Sequence, residues 1–580
     1  MFGSTIQSKQ HERNPTMKRI RYDSPLPRWV WLFPLILCST SFAAAAYLLP
    51  DPLDAQAWKA TLRDSTRYIG ALIQYASETR SMAAIKTAHR PTLVFFGSTV
   101  IAPFLSLTIV GLYFALRPTS ERNVSKFANG AEVKRMELHG DLGPVLGVFE
   151  GKLLKGSEPR HTLAAAPTRS GKTRQAITTV LDYPGTVIVV DPKREIKQIT
   201  APHRSKIGPT HTIGFADPNS PSGWNPFATA NIPTETVQIE LAISRIASVL
   251  TPMNERATDK FWDETALRNM TALCMVEAYK ALRTGEDGHL GNLISYIREL
   301  PETVDEDPFT LKMNQIAALA ASYGAPNWVQ EDLISFGQTE PKERGSHINS
   351  MLTKLQVFRT AATKRSLGIN SFTVDDLRDR PCTVFIDFPR EDARSFGPIT
   401  AMFLDTIFTH ALSNGRKENQ YPILVIMDEF RDLPVIPNLI SVMTAGAGAG
   451  LSAYILVQGY AQLKERYPDS YLNIINNCEW QIIFENPDAE TQRVLTGTTG
   501  KTEYKSSSKQ MNSMGAVTGK SQQLKEKDLM ENVDWAIIPF GHHILIPRRH
   551  QIRPVYCTSA FWDKIPEIRR LVPRKNRIKT

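Results

Sequence analysis

Short apolar runs rich in β-branched residues recur along the last three quarters of the chain and predict the strands of a sheet. They cover residues 186–190, 383–388, 423–427, 453–457 and 480–484. Strands that are buried on both faces read as continuous apolar runs, and strands alternating with helical segments are typical of α/β domains. We therefore expect an α/β fold with a predominantly parallel sheet covered on both faces.

A different pattern runs from residue 234 to 377, where apolar residues recur at helical spacing. The apolar positions of its first segment fall on one helical face: Ile239, Ile243, Ile246 and Leu250. A second periodic segment, 261–282, is followed by Gly285, a typical helix stop. We predict an all-α domain, 234–377, inserted into an α/β domain made of 117–233 and 378–560. Periodicity reports burial, so it leaves open whether this domain only packs or also contacts substrate.

Two uncharged apolar runs, 29–49 and 92–116, are each long enough to cross a hydrocarbon core, which takes about 20 helical residues. The first run is followed by Pro50, Asp51 and Pro52 rather than by a small-residue cleavage site, which disfavours a cleaved signal peptide. Basic residues precede the first run and follow the second: Lys9, Arg13, Lys18, Arg19, Arg21, Arg28, Arg117, Arg122 and Lys126. We predict a cytoplasmic basic tail, 1–28, and a two-span anchor, 29–116, with a short periplasmic segment.

Composition narrows the partners and the chemistry. The chain of 580 residues has a net charge of +10, which favours anionic partners such as nucleic acid or lipid head groups. Its five cysteines show no C-x-x-C spacing, which argues against a cysteine zinc cluster or a disulfide framework. Residues 500–525 are rich in Ser, Lys, Gln and Gly without periodicity and predict a mobile loop. Residues 561–580 are interpreted as a basic C-terminal tail.

The chemistry centres on the octapeptide from Ala166 to Thr173. In the pattern G-x-x-x-x-G-K-[ST], backbone amides cradle phosphates, the lysine reaches the β- and γ-phosphates, and the hydroxyl binds Mg²⁺. Ala166 replaces the first glycine, but a strand at 161–166 and a helix at 174–181 supply the required context. The residues predicted to bind ATP and Mg²⁺ are Thr168, Arg169, Ser170, Gly171, Lys172 and Thr173.

An acidic pair, Asp428 and Glu429, follows the apolar run 423–427 directly. The phosphate loop makes a magnesium-linked role more plausible than a solvated acidic turn, with Asp428 near the ion held by Thr173 and Glu429 polarising the attacking water. Gln458 follows the run 453–457. If the two strands are neighbours, its carboxamide lies near the γ-phosphate and can sense it or orient water.

Taken together, these motifs resemble those of the type IV secretion coupling proteins, membrane-anchored hexameric ATPases that deliver substrates to conjugation and secretion machines. The resemblance covers most of the chain in order and spacing, and Ala166 matches this family's form of the loop. The matching segments are residues 166–173, Asp191-Pro192-Lys193-Arg194-Glu195, Trp224-Asn225-Pro226-Phe227, Asp428-Glu429-Phe430 and Gln458 through Gln462-Leu463.

The resemblance implies a RecA-like P-loop motor domain, a helical lobe facing the cytoplasm, and a homo-hexamer with ATP sites between subunits. Its catalytic group would comprise Lys172, Asp428, Glu429 and Gln458, with Thr173 and Asp428 at the metal. The expected location is the bacterial inner membrane, in contact with its lipid. The expected partners are the channel components of a type IV secretion system and a relaxase–DNA complex.

Two departures from the family pattern stand out. Arg194 occupies a position where the family often has glycine. The segment 432–463, where some relatives place an arginine finger, contains no Arg or Lys. Arg431 is one candidate for that role, and arginines elsewhere remain possible.

Three other functions stay open at this point. The same motor could deliver secreted effector proteins without DNA, because the motifs do not identify cargo. A non-catalytic membrane docking receptor would not require intact Lys172, Thr173, Asp428 and Glu429. A chromosome-segregation DNA translocase would usually carry more membrane spans and a C-terminal winged helix.

Overall fold

The computed structural model describes residues 126–577 without residues 137, 139, 141, 252–260, 304–305, 497, 512–516 and 549–552. The predicted membrane anchor and basic N-terminal tail lie outside the described residues. Within the described residues, no helix is both long and apolar enough to cross a bilayer.

Apolar, β-branched segments form most of the strands, as their sequence pattern predicts. In chain order the strands are β1 (Val145–Phe149), β2 (Lys152–Lys155), β3 (Thr162–Ala165), β4 (Thr186–Val190), β5 (Thr210–Gly214), β6 (Thr383–Asp387), β7 (Ile423–Met427), β8 (Leu451–Val457), β9 (Trp480–Ile483), β10 (Lys501–Met511), β11 (Val517–Asp528), β12 (His542–Pro547) and β13 (Val555–Thr558).

Helices surround the sheet and fill the insertion between β5 and β6. In chain order they are α1 (Gly130–Arg135), α2 (Lys172–Asp182), α3 (Glu195–Ile207), α4 (Thr236–Leu250), α5 (Phe261–Thr284), α6 (Asn292–Arg298), α7 (Pro308–Ser322), α8 (Asn327–Gln338), α9 (Pro341–Leu355), α10 (Ala361–Gly368), α11 (Asp376–Asp379), α12 (Ala393–Asn414), α13 (Leu439–Ala445), α14 (Tyr460–Arg466), α15 (Tyr471–Asn477), α16 (Ala489–Thr496), α17 (Asn532–Ala536) and α18 (Pro566–Leu571).

Eleven strands form one mixed sheet in the order β2-β1-β13-β12-β9-β3-β8-β7-β4-β6-β5. The strands from β9 to β5 are parallel, whereas β12, β13, β1 and β2 add an antiparallel end. Val187 and Val189 of β4 pack in one core cluster and Ile188 and Val190 in the other. Successive residues therefore face opposite layers, and both faces of the sheet are covered.

Helices α4 to α11 occupy the segment between β5 and β6, where the periodic pattern predicted an all-α insertion. The four apolar positions of the predicted first helix are buried along one face of α4. Gly285 follows α5 with φ +74°, and its amide donates to Ala281 O at 2.9 Å. That left-handed backbone is typical of a glycine that ends a helix.

The expectation of a mobile loop at 500–525 is wrong. β10 and β11 pair antiparallel to each other from Lys501↔Asp528 to Met511↔Val517, as a two-stranded sheet separate from the central one. Cross-strand backbone hydrogen bonds do not require apolar side chains, so this pairing leaves no periodic signal in the sequence.

The C-terminal segment also differs from the tail expected at 561–580. Trp562, Ile568 and Val572 are buried in the core cluster that covers one face of the sheet. Asn576 Nδ2 donates to Gln198 O of α3 at 2.7 Å. The basic residues of this segment therefore belong to a packed part of the α/β domain, at least through residue 576.

Candidate functional site

The phosphate loop joins β3, in the middle of the parallel strands, to the start of α2. Ala166 is buried and extends the strand, since its amide donates to Val457 O of β8 at 3.0 Å. Positive φ is confined here to Arg169 (φ +68°) and Gly171 (φ +96°). A glycine is thus unnecessary at position 166. At Gly171, φ requires one, and a Cβ would also approach the Phe561 ring to 2.5 Å.

Turns that mix right- and left-handed backbone direct successive amides toward one point, and helix N-termini favour anions. Ser170 closes this turn by donating from Oγ to Pro167 O at 2.8 Å. Thr168 and Arg169 are exposed at its tip. The loop therefore has the backbone of an anion-binding turn at the head of a helix.

Lys172 and Thr173 begin α2 beside the predicted acids. Lys172 is only 6% exposed, and this burial lowers its pKa, although the charges of Glu429 and Asp428 oppose the shift. Thr173 Oγ1 lies 3.4 Å from Asp428 Oδ2. The structure thus brings together, across 255 residues of sequence, the hydroxyl and the carboxylate predicted to share a metal.

Asp428 is fully buried at the end of β7, where its amide donates to Val190 O of β4 at 3.2 Å. Burial, reinforced by the charge of Glu429, raises the pKa of Asp428 to about 6. Its Oδ1 atom has no hydrogen-bond partner among the described residues. A buried carboxylate oxygen without a partner is costly unless a ligand completes it.

Glu429 has a left-handed backbone (φ +58°) and forms ion pairs with Lys193 and Arg390. Burial alone would raise the pKa of Glu429, but the hydrogen bond from Lys193 and the nearby cations lower it below its usual value. The same hydrogen bond outweighs the burial of Lys193 and raises the pKa of that ammonium. Glu429 is therefore ionised and held in place by two cations.

Sequence reasoning did not assign roles to these two cations. Lys193 was noted only as part of a family motif, and Arg390 was missed. Both follow strands that lie beside or near β7: Lys193 comes after β4, and Arg390 comes after β6. A search for basic residues after each predicted parallel strand could have found them, because the carboxyl ends of parallel strands share one edge.

Two more carboxylates, Asp191 and Asp387, stand at that edge beside Asp428. Burial raises the pKa of Asp191 to about 7, and its Oδ2 accepts the Lys197 amide at 2.8 Å. Asp387 pairs with Lys197 Nζ at 2.8 Å and with Arg194. Arg194 has φ +60°, which gives a physical account of the family's glycine at this position.

Gln458 follows β8, and β8 is hydrogen-bonded to both β3 and β7, the adjacency on which its predicted role depends. The Gln458 amide donates to Gln462 Oε1 at 3.0 Å, and its carbonyl accepts from Asn486 Nδ2 at 2.9 Å. Its backbone is thus fixed between the phosphate loop and the acidic pair. The sensing role itself stays a prediction.

A cavity of about 290 Å³ opens over the loop and is lined by Thr168, Lys172, Lys193 and Glu429, among others. Phe540 also lines this cavity and is 64% exposed, an unusual state for a large aromatic side chain. Its ring centroid lies 5.6 Å from that of Phe561, and the Arg174 guanidinium lies 4.4 Å above Phe561. Sequence reasoning missed Phe540.

These donors fit a Mg²⁺–nucleotide ligand. Amides and Lys172 supply positive charge for phosphates, and the Thr173 hydroxyl with the unpaired Asp428 oxygen supplies the hard oxygen ligands that Mg²⁺ prefers. An ionised Glu429 adjoins the same cavity as a potential proton acceptor. The arrangement can therefore hold a phosphoanhydride beside a base.

The chain is similar in sequence to proteins of known systems. The chain is 24% identical over 410 residues to the conjugal transfer protein TraG of Escherichia coli, covering 66% of this chain and 61% of that protein. It is 22% identical over 445 residues to the protein VirD4 of Rhizobium radiobacter, covering 72% and 60%. The matches span about three fifths of the length of these relatives.

The fold is that of a solved coupling protein. Bacterial conjugative coupling protein TrwB, in an unbound monoclinic form, superposes with a TM-score of 0.55 at 14% identity, covering 76% of this chain and 93% of that one. TrwB in complex with ADP and Mg²⁺ gives a TM-score of 0.51 at 14% identity, covering 75% and 94%.

The family model described as Type IV secretory system Conjugative DNA transfer matches residues 122–578, which include the whole site. The chain therefore belongs to the conjugative DNA transfer family of type IV secretory systems.

Proposed function

We propose that this chain is an ATP-hydrolysing RecA-like motor that recruits a relaxase–DNA complex and delivers it to a type IV secretion channel. The observation that carries the proposal is the convergence of Lys172, Thr173, Asp428 and Glu429 at one edge of the sheet. The family membership and the names of the conjugal relatives support DNA as the cargo.

Each residue has a task that its environment suits. The loop amides and Lys172 bind the phosphates, and the buried position of Lys172 strengthens its attraction for them. The Thr173 hydroxyl and the Asp428 carboxylate would hold Mg²⁺, which when bound neutralises phosphate charge. With a pKa of about 6, Asp428 is ionised at neutral pH and available to the metal.

Glu429 is the proposed base that takes a proton from the attacking water. Lys193 and Arg390 keep it ionised and fix its orientation. Phosphates in the same cavity would offer Lys193 a second anion, so ligand binding would loosen its hold on Glu429. Gln458, at the end of the neighbouring strand, would sense the γ-phosphate or orient water.

The exposed Phe540 ring is the proposed platform for the nucleobase. It lies at the rim of the phosphate cavity and rests against Phe561, which is itself covered by the Arg174 guanidinium. A ring supported from behind and open in front suits stacking against a planar base.

We further propose a homo-hexamer anchored in the bacterial inner membrane by the apolar runs 29–49 and 92–116. The hydropathy of the runs supports the anchor, and the family resemblance supports the ring. A neighbouring subunit would supply an arginine to the γ-phosphate, for which the exposed Arg431 is one candidate.

The test is transfer of DNA between cells that carry either the wild-type chain or Lys172→Ala, with ATP turnover measured on the purified full-length protein. The exposed Lys206 at the end of α3 provides the matched control, Lys206→Ala. We expect Lys172→Ala to remain membrane-bound yet lose ATP turnover and transfer, while Lys206→Ala keeps both. Undiminished transfer by Lys172→Ala would refute the motor.

A further inference from the structure

We propose that the β10–β11 ribbon, Lys501–Met511 paired with Val517–Asp528, carries a further binding site. The lysines of its paired strands beyond the base, Lys505, Lys509, Lys520 and Lys525, bind the phosphodiester backbone of DNA without regard to base sequence. The inference rests on the proposed function, because it assigns to DNA cargo a place on this chain.

The ribbon is a two-stranded sheet of its own. β10 and β11 pair with each other and with no strand of the eleven-stranded sheet in the described part of the chain. The Leu529 amide donates to Gly500 O at 2.9 Å and closes its base. Strands of 11 and 12 residues extend about 35 Å at the usual rise.

Charge is segregated along this length. The acids Glu503, Glu526 and Asp528 all lie at the base, where Lys501 Nζ is 3.8 Å from Glu526 Oε2. From residue 504 to residue 525 there is no Asp or Glu. Four lysines lie in that outer part: Lys505, Lys509, Lys520 and Lys525.

The register places like charges opposite one another. Lys509 is opposite Lys520 in the register, and Lys505 is on the same face because it is four pairs, an even number, nearer the base. Directly opposed like charges destabilise an antiparallel pair, and a two-stranded hairpin has little stability to spare. An anion bound along this face would offset that repulsion.

The residue types favour DNA over a lipid surface. In the paired strands, most positions between the lysines are Ser or Gln, side chains that hydrogen-bond to phosphate and sugar oxygens. Segments that lie on membranes present a broad apolar face, often with Trp or Phe, and residues 504–525 contain neither residue. A two-stranded ribbon also fits the major groove of a duplex.

The test measures binding of the full-length protein to labelled single-stranded and duplex DNA of about 20 nucleotides or base pairs, as a function of salt. Replacing all four outer lysines by Ala should weaken binding by at least about tenfold at low salt. Each lost phosphate contact should reduce the slope of log K against log salt by about 0.7 on single strands and 0.9 on duplex. The fourfold Lys→Arg variant should retain the wild-type slope.

Two matched pairs separate position from total charge. Lys509→Ala with Lys520→Ala should reduce the duplex slope by about 1.8, whereas Lys501→Ala with Lys527→Ala at the acidic base should change it by less than about 0.5. Lys509→Glu gives a second criterion. It replaces a repulsive cross-strand pair by an attractive one, so it should preserve or increase the melting temperature while weakening DNA binding.

The outcomes discriminate between the inference and the function on which it rests. Wild-type salt slopes in the fourfold Ala variant would overturn the ribbon site alone, as would loss of binding to phosphatidylserine vesicles with unchanged DNA binding. Failure of the wild-type protein to bind DNA, with ATP turnover intact, would overturn both the ribbon site and the DNA cargo. DNA-independent ATP turnover should be equal in all variants, which confirms that they are folded.

Discussion

The phosphate cavity and the outer part of the β10–β11 ribbon both concentrate positive charge, but only the cavity has carboxylates that balance it. Lys193 and Arg390 pair with Glu429, and Lys197 pairs with Asp387. In the outer ribbon, residues 504–525, the sequence contains no carboxylate at all. Balanced charges fix the geometry of a small ligand site, whereas unbalanced charges attract an extended polyanion with little demand on geometry.

The charged side chains of the two regions also differ in how far they are buried. Asp428 and Lys172 are almost completely buried, so each pays for desolvation and depends on neighbours and ligand. At the ribbon's base, the described side chains of Lys501 and Glu526 are about two-thirds exposed, and an exposed pair of this kind contributes little to stability. The following changes, from the largest expected effect to the smallest, test how far this contrast holds.

Removing the charge of Glu429 should have the largest effect on the phosphate cavity. Glu429→Gln should lower kcat for ATP by about 10²- to 10⁴-fold, the usual contribution of a general base, with little change in nucleotide affinity. Steady-state kinetics and nucleotide binding on the full-length protein provide the measurement. Glu391→Gln, at an exposed position, is the control. Equal rates of ATP turnover for the two variants would show that Glu429 takes no part in the reaction.

Asp428→Asn should stabilise the nucleotide-free protein. The folded-state pKa of about 6 lies above the ordinary aspartate value of 3.8, so the folded state binds more protons and its stability falls as pH rises from about 4 to about 6. Removing the charge should restore up to about 3 kcal/mol above pH 6 and nothing below pH 4. Denaturant unfolding of both proteins at pH 8 and at pH 3.5 checks the sign of the change. If the carboxylate served only to hold the fold together, Asp428→Asn would lower the free energy of unfolding at pH 8 instead of raising it.

Phe540→Ala should affect binding rather than turnover. Loss of about 1 kcal/mol of stacking corresponds to roughly a fivefold increase in KM for ATP, with kcat nearly unchanged. Phe540→Tyr should behave as wild type. Val533→Ala, at a site 66% exposed, controls for the loss of an exposed apolar side chain. An equal increase in KM for that variant would show that Phe540 does not stack on the nucleobase.

Arg194→Gly should have the smallest effect of the series. A left-handed backbone costs a non-glycine residue about 1 kcal/mol, and glycine at position 194 removes that strain. The substitution also removes the ion pair with Asp387, which contributes little because the Arg194 side chain is 45% exposed. The two contributions nearly cancel, so the free energy of unfolding should change by less than about 1 kcal/mol. A larger loss in urea unfolding would mean that Arg194 anchors the edge of the sheet.

Motifs predicted the centre of the site because the carboxyl ends of parallel strands are forced together. A strand that ends in Lys172's loop and a strand that ends in Asp428 meet at one edge whatever the loops between them do. The cations were not predicted, because Lys193 and Arg390 acquire their roles from strand order, with β4 beside β7 and β6 next along the sheet. Strand order depends on packing across hundreds of residues, which local patterns do not encode.

The same reasoning explains the errors at 500–525 and 561–580. Polar strands such as β10 and β11 pair through their backbones, so period-two alternation is absent and the segment resembles a loop. In the C-terminal segment the many basic residues masked three buried anchors, Trp562, Ile568 and Val572. Composition describes the surface of such a segment, whereas a few apolar residues decide where it packs.

The contact between Gly171 and Phe561 has a consequence for biosynthesis. Phe561 packs against the phosphate loop from just beyond β13, and among the described residues β13 is the last strand and pairs with β1, the first. A ribosome therefore completes every recognisable motif of the nucleotide site well before it adds the residue that packs against the loop. A gene truncated after β12 would encode a protein that any motif search accepts as a motor, yet whose phosphate loop lacks its support.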